Sequence, residues 1–175
     1  RQRQMCIRDS TPLAHDPIEL ARQHWTRRGW SEAADGMALV TSIMRTQQKF
    51  LARVDNELRP FQLTFARYEV LMLLEFSHHG RLPLGKIGER LQVHPASVTN
   101  VVQRLADDGL LHRVPNPDDG RSVLATITPA GSDAANAATE HLNQHVFSKL
   151  PLDTADQIAI YDRLTTVRQA FGDFA

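Results

Sequence analysis

The most restrictive feature of this sequence is a pair of short helical segments joined by three residues and followed at once by a turn-rich hairpin. Leu84–Leu91 reads as a helix despite Gly85 and Gly88, and Gln92-Val93-His94 is too short to be anything but a tight connection. Pro95 then opens a second helix, where its missing N–H costs nothing because the first-turn donors are unpaired anyway. Gly109 closes that helix after Asp108. Leu111–Val114 and Arg121–Thr128 follow as short strands. In the second, Val123, Ala125 and Ile127 alternate with their neighbours, with Leu124 the exception. Pro115-Asn116-Pro117-Asp118-Asp119-Gly120 between them is dense with turn formers. Two helices across a three-residue turn form a helix-turn-helix, and the hairpin makes it a winged one. The fold class expected is mainly α with a small β-hairpin wing (α+β).

The flanking segments read as helices. From Ser31, taken as N-cap, a long helix runs to its stop at Pro60. Met37, Val40, Met44, Leu51, Val54 and Leu58 recur along it at a/d-like spacing, with Gln47 in one slot. Such a stripe serves either an intrachain core or a subunit interface. Asp16–Gly29 is a mixed stretch leading into Trp30, and reads as a short helix folding over a neighbour. Thr64 caps a helix over Phe65–Phe76, Pro129 starts one through about Leu150, and Asp153 caps the last, carrying Ile158, Tyr161, Leu164, Val167 and Phe171.

At 100° per residue, Val98, Val101, Val102 and Leu105 form the buried face of the Pro95–Asp108 helix. The opposite arc carries Ala96, Asn100, Gln103 and Asp107, flanked by Ser97, Thr99 and Arg104. Ser, Thr, Asn, Gln and Arg are the side chains that pair with base edges in a major groove. A solvated face on an ordinary amphipathic helix holds several Lys and Glu, and Pro95–Asp108 has neither. Pro95, Ala96 and Ser97 are small enough at the helix start to let the backbone approach a phosphate. In the hairpin, Arg121 beside a glycine-containing tip can reach a narrow minor groove, while Asp119 orders Arg121 or a neighbouring arginine.

Charge narrows the kind of DNA binder this can be. The chain has 175 residues with 20 Lys+Arg and 20 Asp+Glu. From His78 to Thr128 there are six basic and five acidic residues, so one copy releases few counterions. Two rigidly joined copies make the second contact intramolecular and raise affinity steeply, which points to a dimer on a two-half-site operator. The first ten residues, RQRQMCIRDS, lack the apolar stretch of a secretory signal, and MCIRDS resembles a translated sequencing-adapter end. Residues 1–10 are therefore read as an assembly scar or frayed tail and set aside from the 11–175 domain. They carry Arg1, Arg3 and Arg8 against Asp9, so the remainder has 17 basic and 19 acidic residues. They also hold Cys6, the one cysteine, which argues against a thiol-based redox sensor.

Other chemistries find little support. No apolar run approaches the roughly 18 residues of a membrane span. His141 and His145 stand at i, i+4, but Leu142 occupies the position where a zinc protease needs Glu. No phosphate loop, Ser/His/Asp order or cysteine ligand set appears, so the expectation is no enzyme, no metal and no cofactor.

The runs LTFARYEVLMLLEF and LGKIGERLQVHPASVTNVVQRLADDGLLHRVPNPDDGRSVLATITPAG resemble the MarR family of bacterial regulators. The resemblance covers about Thr41–Phe174 and is strongest over Leu63–Gly131. It implies a cytoplasmic homodimeric winged-helix protein binding double-stranded DNA at an inverted repeat, commonly a repressor released by a small aromatic or phenolic effector. It makes Pro95–Asp108 the recognition helix and 61–128 the DNA-binding part, with 31–60 and 129–175 as dimerisation helices. Asp119-x-Arg121 matches the family's wing signature, with Gly120 where many relatives carry a second arginine. The implied effector crevice lies between the dimer helices and the winged helix, with Arg45, Gln48, Phe65, Tyr68 and Met72 as lining candidates and Trp25 or Trp30 as lids.

Overall fold

The computed structural model describes residues 12–174; the reading of Arg1–Ser10, Cys6 included, lies outside them. In chain order the elements are α1 (Pro17–Arg27), α2 (Ser31–Leu58), α3 (Phe65–Glu75), β1 (Arg81–Pro83), α4 (Leu84–Leu91), α5 (Pro95–Asp107), β2 (Leu111–Pro115), β3 (Val123–Ile127), α6 (Pro129–His145) and α7 (Thr154–Ala170). Single 3₁₀ turns follow α2, α3 and α6.

Local chemistry accounts for most boundaries. Asp16, Thr64, Thr128 and Asp153 each cap a helix by accepting a first-turn backbone N–H. Gly109 ends α5 with φ +72°, a left-handed conformation that a residue with a Cβ resists. Ser31 does not act as expected. Gly29 reverses the chain at φ +83°, the Trp30 N–H donates to the Trp25 carbonyl at 3.0 Å, and Trp30 takes the cap position without a side-chain bond. Ser31 is thereby the first residue of α2.

The helix expected through Leu150 stops at His145, with a 3₁₀ turn over Phe147–Lys149 completing that stretch. The strand expected over Arg121–Thr128 narrows to Val123–Ile127, because Arg121 and Ser122 are drawn into the hydrogen bonds of the wing tip.

The sheet is antiparallel in the order β1-β3-β2. β1 was not anticipated; it pairs Arg81 with Thr126 and Pro83 with Leu124, and adds a third strand to the hairpin. Leu58, Leu71, Leu74, Ile87, Val102, Leu105, Leu111 and Leu142 are fully buried and tie α2 through α6 into one core. Burying a side chain of this size contributes roughly 1.5–3 kcal/mol of favourable free energy. The stripe along α2 divides: Val54 and Leu58 enter this core, whereas Val40, Met44 and Leu51 are exposed.

Candidate nucleic-acid interface

The α4–α5 elbow sets the presentation of α5. Gln92 adopts φ +54°, and the Val93 N–H returns to the Gly88 carbonyl at 3.2 Å. A Cβ on Gly88 would stand 3.3 Å from Val98 Cγ2, so its absence lets the two helices cross closely. The His94 imidazole caps α5 through Nδ1, which accepts from the Ala96 N–H at 3.2 Å. Val98, Val102 and Leu105 are buried, and Val101 packs against the same core from a partly exposed position. The opposite face, holding Pro95, Ala96, Ser97, Thr99, Asn100, Gln103 and Arg104, is exposed throughout, as the helical period predicts.

These polar groups are not equally free. The Thr99 hydroxyl donates to the Pro95 carbonyl at 3.1 Å. Among the described residues the side chains of Ser97, Asn100 and Arg104 make no hydrogen bond or ion pair. Gln103 is committed at both ends: its Nε2 donates to Asp107 at 2.7 Å, and its Oε1 accepts from Arg113 of β2. Arg113 had not been singled out from the sequence. Strand periodicity places it on the same side as buried Leu111, the side turned toward α5, and that period was readable. Its alignment with Gln103 depends on how β2 packs on α5, which no sequence pattern records.

The wing tip holds its own shape. The Asn116 N–H donates to the Ser122 carbonyl at 3.1 Å, and the Asn116 amide donates to the Ser122 hydroxyl at 2.8 Å. Asp119 Oδ1 accepts from the Arg121 backbone N–H at 3.0 Å. Asp119 thus orders the arginine through its main chain, and the Arg121 guanidinium has no partner among the described residues. Gly120 between them has open space where a side chain would project.

Of the effector candidates, Phe65, Tyr68 and Met72 come together on α3 against α6. Phe65 and Tyr68 stack with ring centroids 6.3 Å apart, and the Tyr68 and Thr139 hydroxyls are hydrogen-bonded at 3.0 Å. The Thr139 hydroxyl also lies 3.3 Å from the Met72 sulfur. Arg45 and Gln48 lie on the exposed part of α2, and among the described residues no hydrogen bond links either to that group. Trp25 and Trp30 meet edge-to-face at 5.4 Å where α1 folds back on α2. His141 and His145 stack at 4.1 Å, with His141 Nε2 2.8 Å from Glu57. Among the described residues no group of three potential ligands is placed to hold a metal, and no helix is long and apolar enough to cross a membrane.

The model of the MarR family matches residues 63–123, the stretch from the approach to α3 to the start of β3. The uncharacterised HTH-type transcriptional regulator Mb0904 of Mycobacterium bovis is 31% identical over 108 residues, covering 62% of this chain and 71% of the relative. The chain belongs to the MarR family. Sco5413, a MarR family transcriptional regulator from Streptomyces coelicolor, is 49% identical and superposes with a TM-score of 0.75 over 80% of this chain and 97% of its own. BpsR of Bordetella bronchiseptica, whose DNA binding is regulated by 6-hydroxynicotinic acid, is 26% identical with a TM-score of 0.66, over 73% of this chain and 90% of its own. The chain is thus a MarR-family winged-helix transcriptional regulator, with α4 and α5 as its helix-turn-helix and the β2–β3 hairpin as its wing.

Proposed function

We propose that this MarR-family regulator acts as a homodimer on an inverted-repeat operator in double-stranded DNA, as a repressor released by a small aromatic or phenolic ligand. In this reading α5 enters the major groove and the wing, residues 115–122, lies along the minor groove. The observation that carries it is the exposed α5 face, where Ser97, Asn100 and Arg104 have no side-chain partner among the described residues and neither Lys nor Glu intrudes. Asn and Arg in that position can pair bidentately with adenine and guanine edges. Pro95, Ala96 and Thr99 bring the helix start to the backbone, and Asp119 holds Arg121 at the minor groove. The protein works in the cytoplasm as a binding protein, with no catalytic step.

The dimer reading rests on apolar exposure. None of the 17 residues of α7 is buried; its Tyr161 is 63% exposed, and Phe171 just past its end is 87% exposed. Exposed apolar area on this scale marks an interaction surface. On α2 the exposed Leu39, Val40, Ile43, Met44, Phe50 and Leu51 continue the same character. Residues 31–60 and 129–175 would supply the interface. Phe65, Tyr68 and Met72 form an apolar wall with hydroxyl groups, suited to an aromatic acid whose carboxylate Arg45 and Gln48 meet once the dimer assembles.

Selection of duplexes from a randomised library, followed by mobility shifts, tests the reading. An enriched inverted repeat bound by two chains supports it, and recovery of no preferred sequence overturns it. Phenolic acids should release that complex, and Arg45→Ala should blunt the release.

A further inference from the structure

We propose that Arg113 is a contact to the DNA phosphate backbone, and that Gln103 and Asp107 serve to position it; this rests on the DNA-binding reading above. Asp107 accepts from Gln103 Nε2 at 2.7 Å, and Gln103 Oε1 accepts from Arg113 Nη1. The amide therefore has an anion at its donor end and a cation at its acceptor end. Both bonds are charge-assisted, the stronger class of hydrogen bond. A glutamine that reads adenine uses its amide oxygen and nitrogen together, so reading a base here would require breaking both bonds.

Arg113 is the less occupied member of the chain. A guanidinium has five N–H donors, and among the described residues only the bond to Gln103 is made. No carboxylate lies within ion-pair distance of it among the described residues, because Asp107 reaches it only through the neutral amide. Its charge is therefore exposed and uncancelled while its position is fixed.

That position lies between the recognition helix and the first strand of the wing. With α5 in the major groove and the wing in the minor groove, the sugar–phosphate strand dividing the grooves passes between them. A cation held there meets phosphate rather than a base edge. Base reading then falls to the first half of α5, on Ser97 and Asn100. Arg113 joins Arg104 and Arg121 as a third basic contact per copy, which a nearly neutral motif needs.

The test uses a duplex selected from a randomised library with the wild-type chain, and a scrambled duplex of the same length, titrated at several salt concentrations. Arg113→Ala should weaken both by the same factor, roughly tenfold or more, as loss of a charged hydrogen bond predicts. The slope of log K against log salt should become shallower by about 1 for each copy of the residue. Arg113→Lys should restore most of that slope. Gln103→Ala should weaken both duplexes equally and add little in the Arg113→Ala background. Both residues are exposed, so unchanged thermal melts confirm that the variants fold. If Gln103→Ala instead abolishes discrimination at one base pair, or Arg113→Ala leaves the salt slope unchanged, the assignment is wrong. Failure of the wild-type chain to enrich any duplex would overturn the DNA-binding reading itself, a result separate from either of these.

Discussion

Arg67, in the first turn of α3, is ion-paired with Asp108, the residue that ends the recognition helix. The same guanidinium donates to the Gln62 carbonyl at 2.8 Å, in a turn where Gln62 is left-handed at φ +55°. One side chain thus fixes the end of α5 to the corner between α2 and α3. The partners are unequally buried, with Arg67 14% and Asp108 51% exposed. Removing Arg67 loses packing and both bonds and should cost about 2–3 kcal/mol. Asp108→Asn keeps an acceptor oxygen for Arg67 on the more exposed side of the pair and should cost less, about 1 kcal/mol. Urea denaturation of both variants checks the order, and a larger loss for Asp108→Asn would contradict it.

Gly131 places α6 on the turn after α5. A Cβ there would stand 2.0 Å from the Leu110 carbonyl oxygen and 2.9 Å from Ile127 Cγ1, and backbone cannot yield as a flexible side chain can. The Thr128 hydroxyl braces the same corner, donating to the Gly109 carbonyl at 2.9 Å and accepting from the Gly131 N–H at 3.0 Å. Gly131→Ala should destabilise the fold by at least about 1–3 kcal/mol, the usual cost of overpacking. Gly36→Ala, at a helical position with open space around it, should be neutral or mildly stabilising. A thermal melt of each variant is sufficient.

Glu69 gives a pH signature. Its carboxyl is half-buried on α3, and desolvation raises its pKa above the usual carboxylate value. The folded state therefore holds this proton more tightly than the unfolded chain. Its contribution to stability is fully present below the unfolded pKa and is lost as pH rises through the folded one. Glu69→Gln should raise the melting temperature at neutral pH, and the gain should shrink as pH falls into the acid range. A gain independent of pH would show that the charge is not the cause.

How legible the fold was follows from which interactions are local. Thr64, Pro95, Gly109 and Asp153 act within one turn of chain, and each does what its residue type predicts. β1 was missed because three residues ending in Pro83 carry no periodicity; it exists only because β3 offers a free edge. Ser31 was misread because the Gly29 reversal, set by α1 packing on α2, moves the cap to Trp30. On the candidate interface the exposed face of α5 was readable from period alone. The engagement of Gln103 was not, because its partner Arg113 arrives from another element, and side-chain type cannot tell a free amide from an occupied one.

Asn100 and Arg121 should fail in different ways. On the proposed reading Asn100, which has no side-chain partner among the described residues, meets a base edge, so Asn100→Ala should cost about 1–3 kcal/mol on the selected site and relax preference at one position. Arg121→Ala should weaken every site that shares the same flanking A·T tract, since a narrow minor groove attracts the guanidinium whatever the major-groove sequence. Binding profiles across single-base variants separate the two patterns. Wild-type profiles for Asn100→Ala would remove it from the reading surface.

The dimeric reading of an inverted repeat is tested most directly by comparing the intact selected site with one whose second half is scrambled. A near-neutral helix-turn-helix binds weakly alone, and linkage of two copies raises affinity by roughly 10²–10⁴. Scrambling one half should therefore lower affinity by that order, with two chains bound per intact duplex. Equal affinity for the intact and half-scrambled sites would mean that one copy suffices, and would contradict the proposal that the exposed faces of α2 and α7 join two readers into one.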